Sequence, residues 1–91
     1  MNTPKESSKI NDYLLTMAQV RNQELLNSVG ATIRLIRERK GLTLEALANA
    51  SELEISQVHR VETGKANSSI STLDAIAKGL DIPLADLFKK Q

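Results

Sequence analysis

The chain reads as all-α, and three observations carry that expectation. Apolar residues recur at helical spacing in every segment. Gly and Pro fall between those segments rather than within them, apart from Gly30 and Gly79. No stretch alternates apolar and polar residues as a half-buried strand would. The expected architecture is a five-helix domain over residues 29–88, preceded by an additional N-terminal amphipathic helix within residues 1–28.

The elements follow in order. Residues 1–7, MNTPKES, are polar and hold a Pro, so they are expected to fray. From Ser8 to Leu26 there is no Gly or Pro, and Ile10, Leu14, Met17 and Ala18 form a helical stripe widened by Tyr13, Val20, Leu25 and Leu26. Such a stripe suits packing on the same domain or a dimer seam. A second helix is expected over 29–40, with Val29, Ile33 and Ile36 inward. Gly41 would end it in the left-handed conformation, and Arg37, Arg39 and Lys40 suit the negative end of its dipole.

Thr43 is the natural N-cap of a third helix, with Glu45 in its first turn and Leu44, Leu47 and Ala48 as apolar surface. A turn is expected at Ser51–Glu54, then a fourth helix from Ile55 to Thr63, stopped by Gly64. Ser71 reads as the cap of a fifth helix, with Asp74 at its third position and Leu73, Ile76, Ala77 and Leu80 inward. Pro83 suits a first helical turn and would open a last short helix with Leu84, Leu87 and Phe88.

Composition narrows the function. The 91 residues include no Cys, which removes disulfides and thiolate metal sites and fits a reducing, cytoplasmic setting. No apolar run approaches the roughly 18 residues needed to span a bilayer, and the polar N-terminus does not read as a signal peptide. A membrane role is therefore not expected. Net charge is +1, too small to announce an extended nucleic-acid footprint. The positive residues are nevertheless clustered: Arg34, Arg37, Arg39 and Lys40 on one helix, Arg60 and Lys65 around another. Aromatic residues are 2% of the chain, against a base-stacking platform for single strands. With one His, no Cys and no phosphate-cradling Gly motif, neither catalysis, a metal site nor a cofactor is expected.

The stretch 44–64, LEALANASELEISQVHRVETG, is the most informative. It reads as two short helices held nearly perpendicular by a tight turn. Ala48 is the small residue at their crossing, and Val58 and Val61 turn the second helix inward. That is the layout of a helix-turn-helix, whose second helix enters the major groove of DNA. The N-terminal turn of that helix would face base edges with Ile55 and Ser56, and Arg60 follows one turn later. Arg reads guanine through paired hydrogen bonds, Ser56 can bond a base or a phosphate, Gln57 can reach either, and Ile55 can pack on a thymine methyl. Phosphate contacts are expected from Thr43 and Lys40, from His59, and from Lys65 and Asn67 in the following loop.

Residues 29–88 resemble the lambda-repressor-like helix-turn-helix family, also called the Xre or Cro/repressor type. The resemblance runs through Ile33-Arg34, Arg37, Gly41-Leu42-Thr43, Leu47-Ala48, Ser56, Val58, Arg60-Val61-Glu62 and Gly64-Lys65. It continues through Asn67, Ile70, Leu73, Ala77, Leu80 and Leu87-Phe88. The resemblance implies a compact five-helix DNA-binding domain acting as a homodimer on a two-fold symmetric operator, and a structural ion pair between Arg37 and Glu62. The chain departs from the family at Glu52, where Gly is usual in the turn, and at Leu44, where Gln is frequent. The expected function is a sequence-specific transcriptional regulator, a dimeric repressor of double-stranded DNA targets. The competing expectation is a helical protein-interaction module, such as an antitoxin that binds a toxin with weak or no DNA binding; the low net charge, Leu44, Glu52, Glu54 and Ile55 allow it.

Overall fold

The computed structural model describes residues 21–90. These residues form four α-helices and one 3-10 helix with no strand among them. The helices are α1 (Gln23–Arg39), α2 (Leu44–Ser51), α3 (Ile55–Glu62), α4 (Ile70–Gly79) and the terminal 3-10 helix (Leu84–Phe88).

Helix α1 starts six residues before the expected position 29. Asn22 is its N-cap, and the Asn22 side chain accepts the Leu25 N–H at 3.0 Å. The cap satisfies one of the free donors of the first turn, so the helix begins there rather than at the apolar stripe. Arg21 and Asn22 are not helical, so Gln23–Leu26 belong to α1 and not to the helix expected over Ser8–Leu26. The rest of that expected helix lies outside the described residues. The C-terminal end follows expectation. Lys40 is the C-cap, Gly41 has φ +71°, and the Leu42 N–H donates back to the Arg37 carbonyl at 3.0 Å.

Thr43 caps α2, its hydroxyl oxygen accepting the Ala46 N–H at 3.0 Å. In the turn that follows, Glu52 adopts φ 57°, ψ 39°, the left-handed conformation for which glycine is the usual choice. A side chain there costs about 1 kcal/mol. The turn keeps its shape because Leu53 N–H donates to the Ala48 carbonyl at 2.9 Å, closing the end of α2.

The cap expected at Ser71 is a correction. Ser69 caps α4, its Oγ accepting the Thr72 N–H at 3.1 Å, and Ser71 lies inside the helix. Both serines are good caps, and an earlier start adds hydrogen-bonded residues to the helix. Asp74 does not serve the cap; it pairs with Lys78 at i+4, 3.0 Å away. The last element also differs. Pro83 stands at the cap position with ψ 145°, just before the helix, and the element is 3-10. With three residues per turn, Leu84 and Leu87 share a face. Leu87 is buried, whereas Phe88 remains 48% exposed.

The core is continuous: Val29 and Ile33 of α1, Leu47 and Ala48 of α2, Val58 and Val61 of α3, Leu73, Ile76 and Ala77 of α4, then Leu80 and Leu87. Helix α1 packs on α3, α2 packs on both α3 and α4, and the 3-10 helix closes against α1 and α4. Ala48 is fully buried, as a small residue at a helix crossing must be.

Gly30, in the middle of α1, sets how closely α1 and α3 approach. A Cβ at Gly30 would run into the backbone carbonyl oxygens of Val61 and Glu62, 2.6 Å from the latter. Backbone cannot step aside as a side chain can. On propensity alone, Gly30→Ala would stabilise α1 by about 1 kcal/mol. We expect the opposite sign, a loss of about 1–3 kcal/mol from overpacking, read as a lower urea midpoint with unchanged slope. A stabilised Ala variant would mean that α1 and α3 are not in such close contact.

Candidate nucleic-acid interface

Helix α3 has two sharply different faces. Val58, Val61 and Glu62 are buried, while Ile55, Ser56, Gln57, His59 and Arg60 are all exposed. The buried set holds the helix on α1 and α2, and the exposed set contains the four residues expected to read bases, Ile55, Ser56, Gln57 and Arg60, together with His59, expected to meet phosphate. Ile55 is 45% exposed, so it is available to a thymine methyl rather than sunk in the core.

The anchor of this helix is the ion pair expected from the family pattern. Arg37 Nε donates to Glu62 Oε2 at 2.7 Å and Arg37 Nη2 donates to Glu62 Oε1 at 3.1 Å, a two-pronged arrangement. The third guanidinium nitrogen, Nη1, donates to the Leu42 carbonyl at 2.8 Å. One side chain therefore ties the end of α1, the α1–α2 connection and the end of α3. The hydrogen bond to Glu62 raises the Arg37 guanidinium above its ordinary value; burial opposes this, and the Glu62 charge adds to the rise. Arg37 thus stays charged throughout the range where the protein can be handled.

Gln57 has a structural partner that the sequence reading missed. Its Oε1 accepts the Glu54 N–H at 2.9 Å, at the start of α3. Glu54-x-x-Gln57 has the spacing of a capping box, which was legible in the sequence but obscured because Glu is not a usual cap. Gln57 contributes at least that bond to the helix start. Arg60 extends toward the loop after α3, where its Nη2 lies 3.4 Å from the Lys65 carbonyl, and with Gln57, Ser68 and Thr72 it lines a groove of about 240 Å³.

The expected phosphate contacts are placed as follows. Lys40, Thr43, His59, Lys65 and Asn67 are all exposed. Lys40 and Thr43 flank the connection between α1 and α2, away from α3 in sequence. The Lys65 and Ala66 amides both donate to the Arg60 carbonyl, at 2.9 and 3.2 Å, so Lys65 has its side chain rather than its amide to offer. Adjoining the same loop, with Asn67 and Ser68 in its lining, Leu25, Ile70 and Phe88 stand exposed around an apolar cleft of about 150 Å³ that also meets Val29, Val61 and Leu73.

This arrangement, four helices with the third presented outward by a buried ion pair, defines a helix-turn-helix protein. A family model described as a helix-turn-helix domain matches residues 28–87. The chain belongs to that family, in its lambda-repressor-like, Xre-type branch. Among solved structures, it is 40% identical to the restriction-modification controller protein C.AhdI from Aeromonas hydrophila, over 69% of this chain and 96% of that one, with TM-score 0.68. It is 32% identical to the clp gene regulator ClgR from C. glutamicum, over 69% and 82% of the two chains, with TM-score 0.66. A curated relative, the HTH-type transcriptional regulator DdrOP3 of Deinococcus deserti, is 30% identical over 57 residues, 63% of this chain. That match spans 44% of the relative, less than half its length. No helix among the described residues is long and apolar enough to cross a membrane.

Removing Glu62 strands the partly buried Arg37 charge, which keeps its bond to the Leu42 carbonyl, so the loss should fall at or below the low end of the about 3–5 kcal/mol known for fully buried pairs. Glu62→Ala should therefore unfold at lower denaturant, while the joint replacement Arg37→Met with Glu62→Leu should recover most of the loss. A Glu62→Ala protein as stable as the parent would show that α3 is held by its apolar face alone.

Proposed function

We propose that the protein is a sequence-specific transcriptional regulator that binds double-stranded DNA as a homodimer and acts as a repressor at a two-fold symmetric operator. The observation that carries this reading is the division of α3 into a buried face and an exposed face bearing Ile55, Ser56, Gln57, His59 and Arg60. A helix held only from behind is free to lie in a major groove. Arg60 reads guanine, Ser56 bonds a base or a phosphate, and Ile55 contributes shape against thymine. Gln57 keeps its amide nitrogen for DNA while its oxygen holds the helix start. Lys40, Thr43, His59, Lys65 and Asn67 provide the backbone contacts that set register.

The small net charge of +1 fits a compact footprint, in which a few well-placed cations matter more than an overall field. Selection of a random duplex library against the protein should yield a two-fold symmetric sequence with half-sites about 34 Å apart. Arg60→Ala should weaken binding to that duplex by about 1–3 kcal/mol and relax the sequence at one position per half-site. A protein that retains no sequence from the library would refute the DNA reading.

For the dimer, we place the contact at the exposed apolar rim formed by Leu25, Ile70 and Phe88. Ile70 is 64% exposed on α4, a large apolar side chain whose burial against a second copy gives about 1.5–3 kcal/mol per chain. Ile70→Asp should convert a dimer to a monomer by light scattering while leaving the helical signal intact. A dimer that survives the substitution would move the contact elsewhere, and a monomeric parent at 100-micromolar order concentration would remove it.

A further inference from the structure

The residues just ahead of the matched segment 28–87 reach forward to the exit of α3. Arg21 Nη2 donates to the carbonyl oxygens of Gly64 and Lys65, at 3.1 and 2.9 Å. Arg21 Nε donates to Gln23 Oε1 at 3.0 Å. Gln23 Nε2 in turn donates to the Gly64 carbonyl and to Asn27 Oδ1, both at 2.8 Å. Asn27 fills the space that a Cβ on Gly64 would need, and Gln23 Nε2 lies 3.2 Å from that point. Gly64 has φ +72°, so the position requires glycine both for its backbone and for the room that Asn27 takes.

The two carbonyls gripped in this way lie at the foot of the loop that carries Lys65 and Asn67. From the other side, Arg60 approaches the same Lys65 carbonyl, and the Lys65 and Ala66 amides are bonded to Arg60. The loop is thus held from α3 on one side and from residues 21–27 on the other. A guanidinium is well suited to the task, because carbonyls beyond a helix C-terminus carry partial negative charge and Arg offers donors in a rigid fork.

We propose that Arg21, Gln23 and Asn27 are positioning residues for DNA binding: they fix the loop after α3 so that Lys65 and Asn67 meet the phosphate backbone in register with Arg60 on the bases. The proposal rests on the DNA-binding reading above. Its physical content is preorganisation: a loop already ordered in the free protein loses less freedom when it meets DNA. The three residues touch no base and no phosphate in this scheme; they act through Lys65 and Asn67.

The test is a double-mutant cycle on the full chain, using the selected duplex and fluorescence anisotropy at several salt concentrations. The clamp variant is Arg21→Ala with Gln23→Ala, and the second change is Lys65→Ala. The clamp variant should keep its helical signal and bind about ten-fold more weakly. In the Lys65→Ala background the same pair of changes should cost clearly less than ten-fold, and with Asn67→Ala added less than about two-fold, because both contacts it positions are then gone. Amides 65 and 66 should exchange with deuterium faster in the clamp variant.

Unchanged affinity of the clamp variant overturns the proposal. So do fully additive losses with a salt slope reduced by about 0.9 per chain, since Arg21 would then be a phosphate ligand itself. A parent protein that binds no duplex overturns the DNA reading and this use of the clamp with it, and unchanged exchange at 65 and 66 in that case denies the clamp as well. Should the paired variant lose its helical signal, Arg21→Ala alone carries the test, because Arg21 is exposed and precedes α1.

Discussion

The crossing of α1 with the end of α3 is the constraint on which the rest of the molecule depends. Two features act there together. Gly30 lets the backbones come close, and the Arg37–Glu62 pair, 2.7 Å at its shorter contact, fixes the angle and register at which they do so. Apolar packing by Val58 and Val61 is strong but has little directional preference. The two-pronged ion pair supplies direction, because both carboxylate oxygens must meet the guanidinium fork at once. Rotation of α3 would turn the exposed face bearing Ser56 and Arg60, so the orientation of that face is inherited from the contact behind it.

Electrostatics in this protein is local rather than global. A net charge of +1 gives no long-range field to speak of, and part of the positive charge is already engaged in ion pairs. Arg37 is spent on Glu62, Arg34 pairs with Glu38 at 3.1 Å, and Lys78 pairs with Asp74. On the proposed reading, binding to a polyanion would lean on short-range geometry, and the order of the loop after α3 would then carry weight. The exposed apolar Ile55 works in the same direction, whereas Leu44 is half-buried against the core and adds little to the outer face.

Much of the fold was legible in the sequence where local chemistry speaks without ambiguity. Gly41 after a basic last turn, Thr43 before an apolar run and the inward set Val29, Ile33, Leu47, Ala48, Val58, Ile76 and Leu80 all stand where they were expected. The misses have one cause each. Asn22 was overlooked as a cap because no Pro or Gly marks a break between it and the preceding stripe. Ser69 and Ser71 are equivalent caps by residue type, and only the packing of α4 separates them. The last element was expected to be an ordinary short helix, but a 3-10 turn places Leu84 and Leu87 on one face and leaves Phe88 exposed. In the interface, exposure of Ser56 and Arg60 agrees with expectation, whereas the structural bond of Gln57 to Glu54 and the grip of Arg21 on Gly64 and Lys65 were not read.

By itself the sequence determined the helical class, the apolar set and the segment that faces outward, which follow from periodicity and short-range backbone preferences, and it carried the family through residue-by-residue resemblance. Tertiary structure alone decided why Gly30 stands mid-helix, which serine caps α4, and that residues 21–27 hold a loop some forty positions further along. Those outcomes depend on distances between segments remote in sequence, and no local pattern of residues encodes a distance across the core.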